Sequence, residues 1–344
     1  MIAVWYLMLT LLAVCSAVIE GCFPSDRAAL LAFRAALHEP YIGIFNSWTG
    51  SDCCHNWYGV NCDPNTQRVV DINLWGESDD LMFRQAHRSG YMAGNLSRAI
   101  CRLTYLSSIT ITDWKGISGE IPRCISFLPF LRILDLTGNR ISGEIPGHIG
   151  RLGWLTALSL ADNFIYGRIP PSITKLTNLM HLDLRNNQLS GRIPRSLGRL
   201  KMLSRALLSH NQLSGWIPHS ISQIYRLADL DLSSNQISGA IPDWLGRMAV
   251  LSTLNLDGNK ITGTIPASLL NSKIISLNLS RNALNGNIPD SFGRSSYFIM
   301  LDLSYNNLEG WIPKSLSSAW YVGNLDLSHN HIRGHISPFD QLEA

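Results

Sequence analysis

Aspartates recur at one point of a repeating frame along this 344-residue chain: Asp135, Asp183, Asp231, Asp302 and Asp326. Ser159, Leu207, Asn255 and Asn278 occupy the intervening copies of that point, between paired leucines as in Leu134-Asp135-Leu136. His181, Arg185, Arg205, His210 and Asp229 stand close by. Strands pair about 4.8 Å apart, so carboxylates on neighbouring strands could share a proton and perform general acid–base hydrolysis. They could instead form an acidic column that meets a basic partner, or simply be the polar filler of a strand's wet side. Acid–base chemistry needs a cleft that raises one pKa and excludes water, and a regular repeat creates carboxylate pairs without any cleft. The sequence contains no nucleophile elbow, Walker, HExxH or GxGxxG pattern, and its ten histidines are scattered. The chemistry expected is therefore binding and not catalysis, with no cofactor.

The frame itself is set by an Ile-Pro dipeptide that recurs from Ile121-Pro122 to Ile312-Pro313. The spacing is 24 residues, with one step of 23 before Ile288, and a glycine stands two residues ahead of each isoleucine. Asparagines keep the same period from Asn139 to Asn330. Leucines in the pattern LxxLxLxxN at this period predict an α/β solenoid, a right-handed superhelix of leucine-rich repeats with parallel strands on its concave face. In the coil LRILDLTGNRISGEIPGHIG, Leu134 and Leu136 alternate with Asp135, the period of a strand with one buried side. Asn139 carries donors and an acceptor, so stacked asparagines can satisfy backbone groups inside the turn. Pro146 lacks an N–H and suits a corner, while Ile141, Ile145, Ile149 and Leu152 fill the interior. One coil cannot bury its apolar side alone, so the coils must stack.

Residues Ile2 to Ile19 are apolar apart from Thr10 and Ser16, which predicts a signal peptide over residues 1–21 and a secreted protein, extracellular or in the cell wall. The alternative is a membrane tether through an uncleaved signal anchor; after cleavage no stable membrane span is expected. The remaining six cysteines are Cys22, Cys53, Cys54, Cys62, Cys101 and Cys124, an even number that suggests disulfides. Four flank the first strand, and Cys101 and Cys124 hold near-equivalent places in neighbouring coils. A metal site is not expected, because CxxC is absent and adjacent cysteines suit a tetrahedral ion poorly. Residues 22–68 read as an N-terminal cap, with Ser25 capping a helix from Asp26 to Leu37 and Trp48 and Trp57 closing the core. Residues 69–340 read as about ten to eleven coils, interrupted by an insertion at 75–92, and 341–344 as a short tail without a C-terminal cap. The coil containing Trp114 lacks a ladder asparagine and carries one extra residue.

The cap segments SDRAALLAF, DCCHNWYGVNCD and RVVDINL and the LxGxIP repeat resemble plant extracellular leucine-rich-repeat proteins. Polygalacturonase-inhibiting and receptor-like proteins share this layout. Segments such as RSGYMAGNLSRAICRLTYL and DWKGISGEIPRCI are similar to the subgroup called DNA-damage-repair/toleration leucine-rich-repeat proteins. The resemblance spans residues 22 to 344. It implies a secreted or wall-associated interaction protein with cap bridges Cys22–Cys53 and Cys54–Cys62. A nucleic-acid partner does not follow, since the formal net charge is only +3 and no basic stripe exists.

The expected docking surface is the concave face, with Asp135, Ser159, His181, Asp183, Arg185, Arg205, Asp229 and Asp231 as partner-binding candidates. Asp183, His181 and Arg185, near the middle, are the foremost of these. The insertion at 75–92 is either a lid over the cap or a second binding element. Sequons at Asn95 and Asn278 mark N-glycosylation sites, in keeping with secretion. The partner expected is a protein or peptide. The alternatives are an inhibitor of a wall hydrolase such as polygalacturonase, and an ectodomain that partners a membrane receptor in signalling or defence.

Overall fold

The structure, a computed structural model, describes residues 21–334. The leader expected over residues 1–21 (Gly21 apart) and the tail over 341–344 fall outside those residues. Two twelve-stranded sheets run the length of the solenoid. The concave sheet starts with Val60–Cys62 antiparallel to Val69–Trp75 and continues in parallel, coil after coil, to Tyr321–Asp326. Its strands are three-residue pieces such as Ile133–Asp135 and His181–Asp183, so the alternation of leucine and polar residues does form a half-buried strand. Leu134, Leu158, Leu182 and their successors are fully buried along the core.

The second sheet is absent from the sequence reading above. It begins with Leu37–His38 against Met92–Asn95 and continues through Lys115–Glu120, Arg140–Glu144, Phe164–Arg168 and Gln188–Arg192 to His331–Arg333. Residues such as Arg140-Ile141-Ser142-Gly143-Glu144 point Ile141 inward and Arg140, Ser142 and Glu144 outward, the period of a strand. Gly143 is required there twice over: its φ is +82°, and a Cβ would lie 2.7 Å from Cγ of Glu120 in the preceding coil. After most of these strands the Ile-Pro pair turns the chain into one 3-10 turn, for example Arg123–Phe127, Pro171–Lys175 and His219–Gln223, and after Ile265-Pro266 into the α-helical turn Ala267–Leu270.

A column of asparagines separates the two sheets. Asn187 donates Nδ2 to the carbonyls of Leu160, Leu184 and Arg185 at 2.9, 3.3 and 2.9 Å and accepts the Ile165 N–H at 2.9 Å. The same four bonds recur from Asn163 to Asn330. In the extra-long coil Trp114 stands at the ladder position, fully buried, and donates its indole N–H to Leu74 O at 3.0 Å, replacing the inter-coil bond of the missing asparagine. The next rung, Asn139, lacks the counterpart of the bond that Asn163 accepts from the Ile141 N–H, and its Oδ1 is left buried without a partner among the described residues.

The cap holds together much as its composition suggests. Cys22–Cys53, Cys54–Cys62 and Cys101–Cys124 are bridged, the last between neighbouring coils. Trp48 and Trp57 are buried and stacked 5.2 Å apart. The helix differs from expectation: it spans Pro24–Arg34, and Ser25 lies inside its first turn without capping it. Proline at the start pre-sets φ and has no N–H to leave unsatisfied, so the helix begins two residues earlier without a side-chain cap. In the last coil Leu325, Leu327 and Ile332 are half-buried, whereas Leu301, Leu303 and Leu308 one coil earlier are buried.

Candidate docking surface on the concave sheet

Outward residues of successive coils line up by strand register. One column runs Ile133, Ala157, His181, Arg205, Asp229, and its neighbour runs Asp135, Ser159, Asp183, Leu207, Asp231. The acidic column has a structural task. Oδ1 of Asp135 accepts the Thr137 N–H at 3.1 Å and the Thr137 hydroxyl at 2.7 Å, and Asp231 does the same for Ser233 at 3.0 and 2.7 Å. Asp302 with Ser304, and Asn278 with Ser280, repeat the arrangement. These bonds close the turn that leaves each strand, which explains a short carboxylate or amide there. The Ser328 hydroxyl and N–H likewise hold the Asp326 carboxyl below its ordinary pKa.

Three aspartates of the face are paired with arginines within it. Asp183 accepts the Arg185 N–H at 3.2 Å and its guanidinium fork, Nη2 at 2.7 Å, a bond that raises the Arg185 pKa. Arg205 reaches Asp229 at 3.3 Å, and Arg281 reaches Asp257 at 3.6 Å. The expected centre of Asp183, His181 and Arg185 therefore divides. Asp183 and Arg185 satisfy each other, while His181 lies exposed in the other column beside Arg205. Neither His181 nor Ser159 has a side-chain hydrogen bond among the described residues.

A groove of about 460 Å³ lies where the concave sheet meets the cap, lined by Asp63, Val70, Tyr105, Phe130, Arg132 and Trp154. Its aromatic wall is a continuous stack. Arg68 is sandwiched between Phe23 at 4.6 Å and Tyr105 at 4.3 Å, and Tyr105 meets Phe130 at 5.7 Å. Arg68 is fixed by a fork onto the fully buried Asp26, with both contacts at 2.9 Å. Trp154 ends the wall with 58% of its surface exposed. These aromatics escaped the sequence reading, although Tyr105, Phe130 and Trp154 each immediately precede the first leucine of a strand frame (Leu106, Leu131, Leu155).

Around the face, the insertion folds into a short helix, Leu81–Ala86, whose Phe83 is buried 6.2 Å from Trp114. Glu77 pairs with Lys115 at 2.8 Å, and Tyr58 donates to Asp80 at 2.7 Å. Burial, then Glu77, raises the Asp113 pKa. Asn95 is exposed, whereas Asn278 is half-buried on the concave sheet. Among the described residues, the cysteines that could have gathered an ion are all in disulfides, and no helix is long and apolar enough to cross a membrane.

Comparison with known proteins agrees with this geometry. The family described as "Leucine rich repeat N-terminal domain" matches residues 23–63, and two leucine-rich-repeat families match 130–152, 153–213, 207–261, 273–295 and 298–319. The chain is 56% identical over 125 residues to the DNA damage-repair/toleration protein DRT100 of Arabidopsis thaliana, covering 36% of this chain and 34% of that protein. It is 34% identical over 134 residues to a polygalacturonase inhibitor of Vitis vinifera, covering 38% and 35%. The matched stretches thus span about a third of these curated relatives. Among solved structures, the Arabidopsis receptor kinase HAESA, in complex with the peptide hormone IDA and the co-receptor SERK1, matches at 29% identity and a TM-score of 0.71, covering 90% of this chain and 54% of that one.

Proposed function

This chain belongs to the plant leucine-rich-repeat proteins, and we propose that it is a secreted interaction protein that seats a protein or peptide partner on its concave face, at the cap-proximal end. The observation that carries this reading is the groove beside Tyr105, Phe130 and Trp154. It stays open with an exposed aromatic wall, while further along the face Asp183, Asp229 and Asp257 are paired with arginines and Asp135 and Asp231 are engaged in their own turns. Buried aromatic anchors, and not exposed ion pairs, dominate the energetics of most interfaces. His181 and Arg205 lie further along the same face and form its polar rim, with Ser159 between Asp135 and Asp183. The leader over residues 1–21, the three disulfides and the sequons at Asn95 and Asn278 fit a protein of the extracellular space.

The test is affinity capture from plant wall and membrane extracts with the protein and a Phe130→Ala/Trp154→Ala variant. A partner retained by the first and lost by the second is the expected result. Equal retention by both, with His181→Ala/Arg205→Ala also without effect, would remove the concave face from consideration. Likeness to a polygalacturonase inhibitor supports a second reading, in which the partner is a wall hydrolase. Micromolar protein should then slow pectin hydrolysis by a fungal polygalacturonase, and an unchanged rate excludes that partner. A receptor-ectodomain role predicts crosslinking to membrane kinases instead.

A further inference from the structure

The outer face of the second sheet carries a line of charges in four consecutive coils: Glu120, Glu144, Arg168 and Arg192. All four are exposed, and none has a hydrogen-bond or ionic partner among the described residues. They do not pair along the line because they all lean the same way. Glu120 lies over Gly143, Glu144 over Gly167, Arg168 over Gly191 and Arg192 over Gly215, each on the next coil's glycine. Glu144 therefore turns towards its successor's backbone while the Arg168 guanidinium has already moved one coil on. Elsewhere Arg68, Arg185, Arg205, Arg247 and Arg281 each meet an aspartate.

The order acid, acid, base, base is self-complementary. The register of this sheet is staggered, with Glu144 level with Tyr166 and Glu120 level with Ser142, so the line of charges runs oblique to the strands. A two-fold axis in the plane of the sheet, perpendicular to that line and passing between Glu144 and Arg168, reverses the coil order of a second copy. It then sets Glu120 against Arg192 and Glu144 against Arg168, twice over, as an isologous contact requires. The neighbouring outward residues agree with the same axis. Arg140 would face Phe164 of the second copy, a cation–π partner of the kind it already makes within its own chain at 6.0 Å. Ser142 would face Tyr166, whose exposed ring borders a groove of about 460 Å³ beside Glu120, Glu144 and His148. At the rim, the Asn95 sequon would face Trp216.

We infer that this face of the second sheet joins two copies of the chain in a symmetric, salt-sensitive dimer, which leaves both concave faces open. The contact covers only four coils, each step being about 4.8 Å across the strands with a two-residue stagger along them, so it is small and its affinity modest. Exposed charges act within a Debye length of about 8 Å at physiological salt, which makes ionic strength the first handle.

The experiment is sedimentation equilibrium of the whole secreted protein at low salt and at molar salt. Dimer at low salt that dissociates at high salt is expected. The variants Arg168→Glu/Arg192→Glu and Glu120→Arg/Glu144→Arg should each be monomeric, with self-affinity at least roughly tenfold weaker because like charges then face each other. Mixed one to one, they should recover a heterodimer, which also shows that both are folded. The four-fold swap, which restores the alternation in reverse, should dimerise again. A monomer at every salt and concentration overturns the inference, as does a dimer indifferent to these reversals or a mixture that fails to associate.

Discussion

The two sheets of this solenoid are built from the same coils yet treat charge in opposite ways. On the concave sheet, Asp135, Asp231 and Asp302 each hold the N–H and hydroxyl of the residue two places on, and Arg185, Arg205 and Arg281 each reach an aspartate. On the second sheet, Glu120, Glu144, Arg168 and Arg192 have no ionic partner among the described residues, and Arg192 lies over the Trp216 ring at 4.6 Å. The difference teaches that a conspicuous column of carboxylates can be scaffold, while an inconspicuous one is free to meet something outside. It also separates two kinds of surface: an apolar groove beside the concave sheet, and a patterned polar strip on the other.

The comparison can be pressed first at the column both sheets share. Asn187→Leu removes three donated bonds and one accepted bond between buried groups, so unfolding in urea should lose roughly 3 kcal/mol. A loss near that of a surface change would mean the ladder does not couple the sheets. Next, Asp231→Ala strips the Ser233 N–H and hydroxyl of their acceptor and should cost about 1 kcal/mol, whereas Arg192→Ala should stay within about 0.5 kcal/mol. Equal effects would erase the distinction drawn between the sheets.

Acid sharpens it further. The Asp326 carboxyl titrates below its ordinary value, so its contribution is present above the ordinary carboxylate range and is lost as pH falls through it. Hydrogen-exchange protection of the coil at Tyr321–Asp326, corrected for the intrinsic rate at each pH, should therefore fall on acidification, and less so in Asp326→Asn. The smallest effect expected is at Asp113, whose pKa is raised by burial and by Glu77. A raised carboxylate favours folding below its pKa and opposes it above, so Asp113→Asn should stabilise at neutral pH, by roughly 0.3 kcal/mol after solvent screening. Asparagine also tolerates the positive φ of 60° at that position. Destabilisation at neutral pH would contradict the stated cause of the shift.

Much of this was legible from residue types and spacing. The Ile-Pro period, the LxL strands and the asparagine ladder are local or strictly periodic, and those signals survive in a single chain; the cap bridges Cys22–Cys53 and Cys54–Cys62 came from the family resemblance and not from spacing. The second sheet was hidden because its strands, such as Arg140–Glu144, run through a Ser-Gly pair that reads as a turn, and a turn and a strand with one left-handed glycine look alike in sequence. The helix start was misplaced because Pro24 takes over the role assigned to Ser25. The Tyr105, Phe130 and Trp154 wall depends on Arg68 and Phe23, which enter from the cap through tertiary contact alone. Neutralisation is equally invisible: nothing in a list of residues says that Asp183 faces Arg185 and not a partner.

One rung of the ladder has a consequence for how the molecule comes apart. Asn139 uses its nitrogen but leaves its oxygen buried and unmatched, because the coil before it is one residue too long. Every later rung makes two bonds to the coil before it, one through nitrogen and one through oxygen, whereas Asn139 makes only the first, to Ile111, so this rung is a seam in an otherwise continuous zipper. Partial unfolding that starts in the repeats should run up to that seam and pause there, since the stretch beyond it is locked by three disulfides and a buried tryptophan. A solenoid whose coils look interchangeable would then behave as two cooperative blocks, with the boundary drawn by a single amide oxygen.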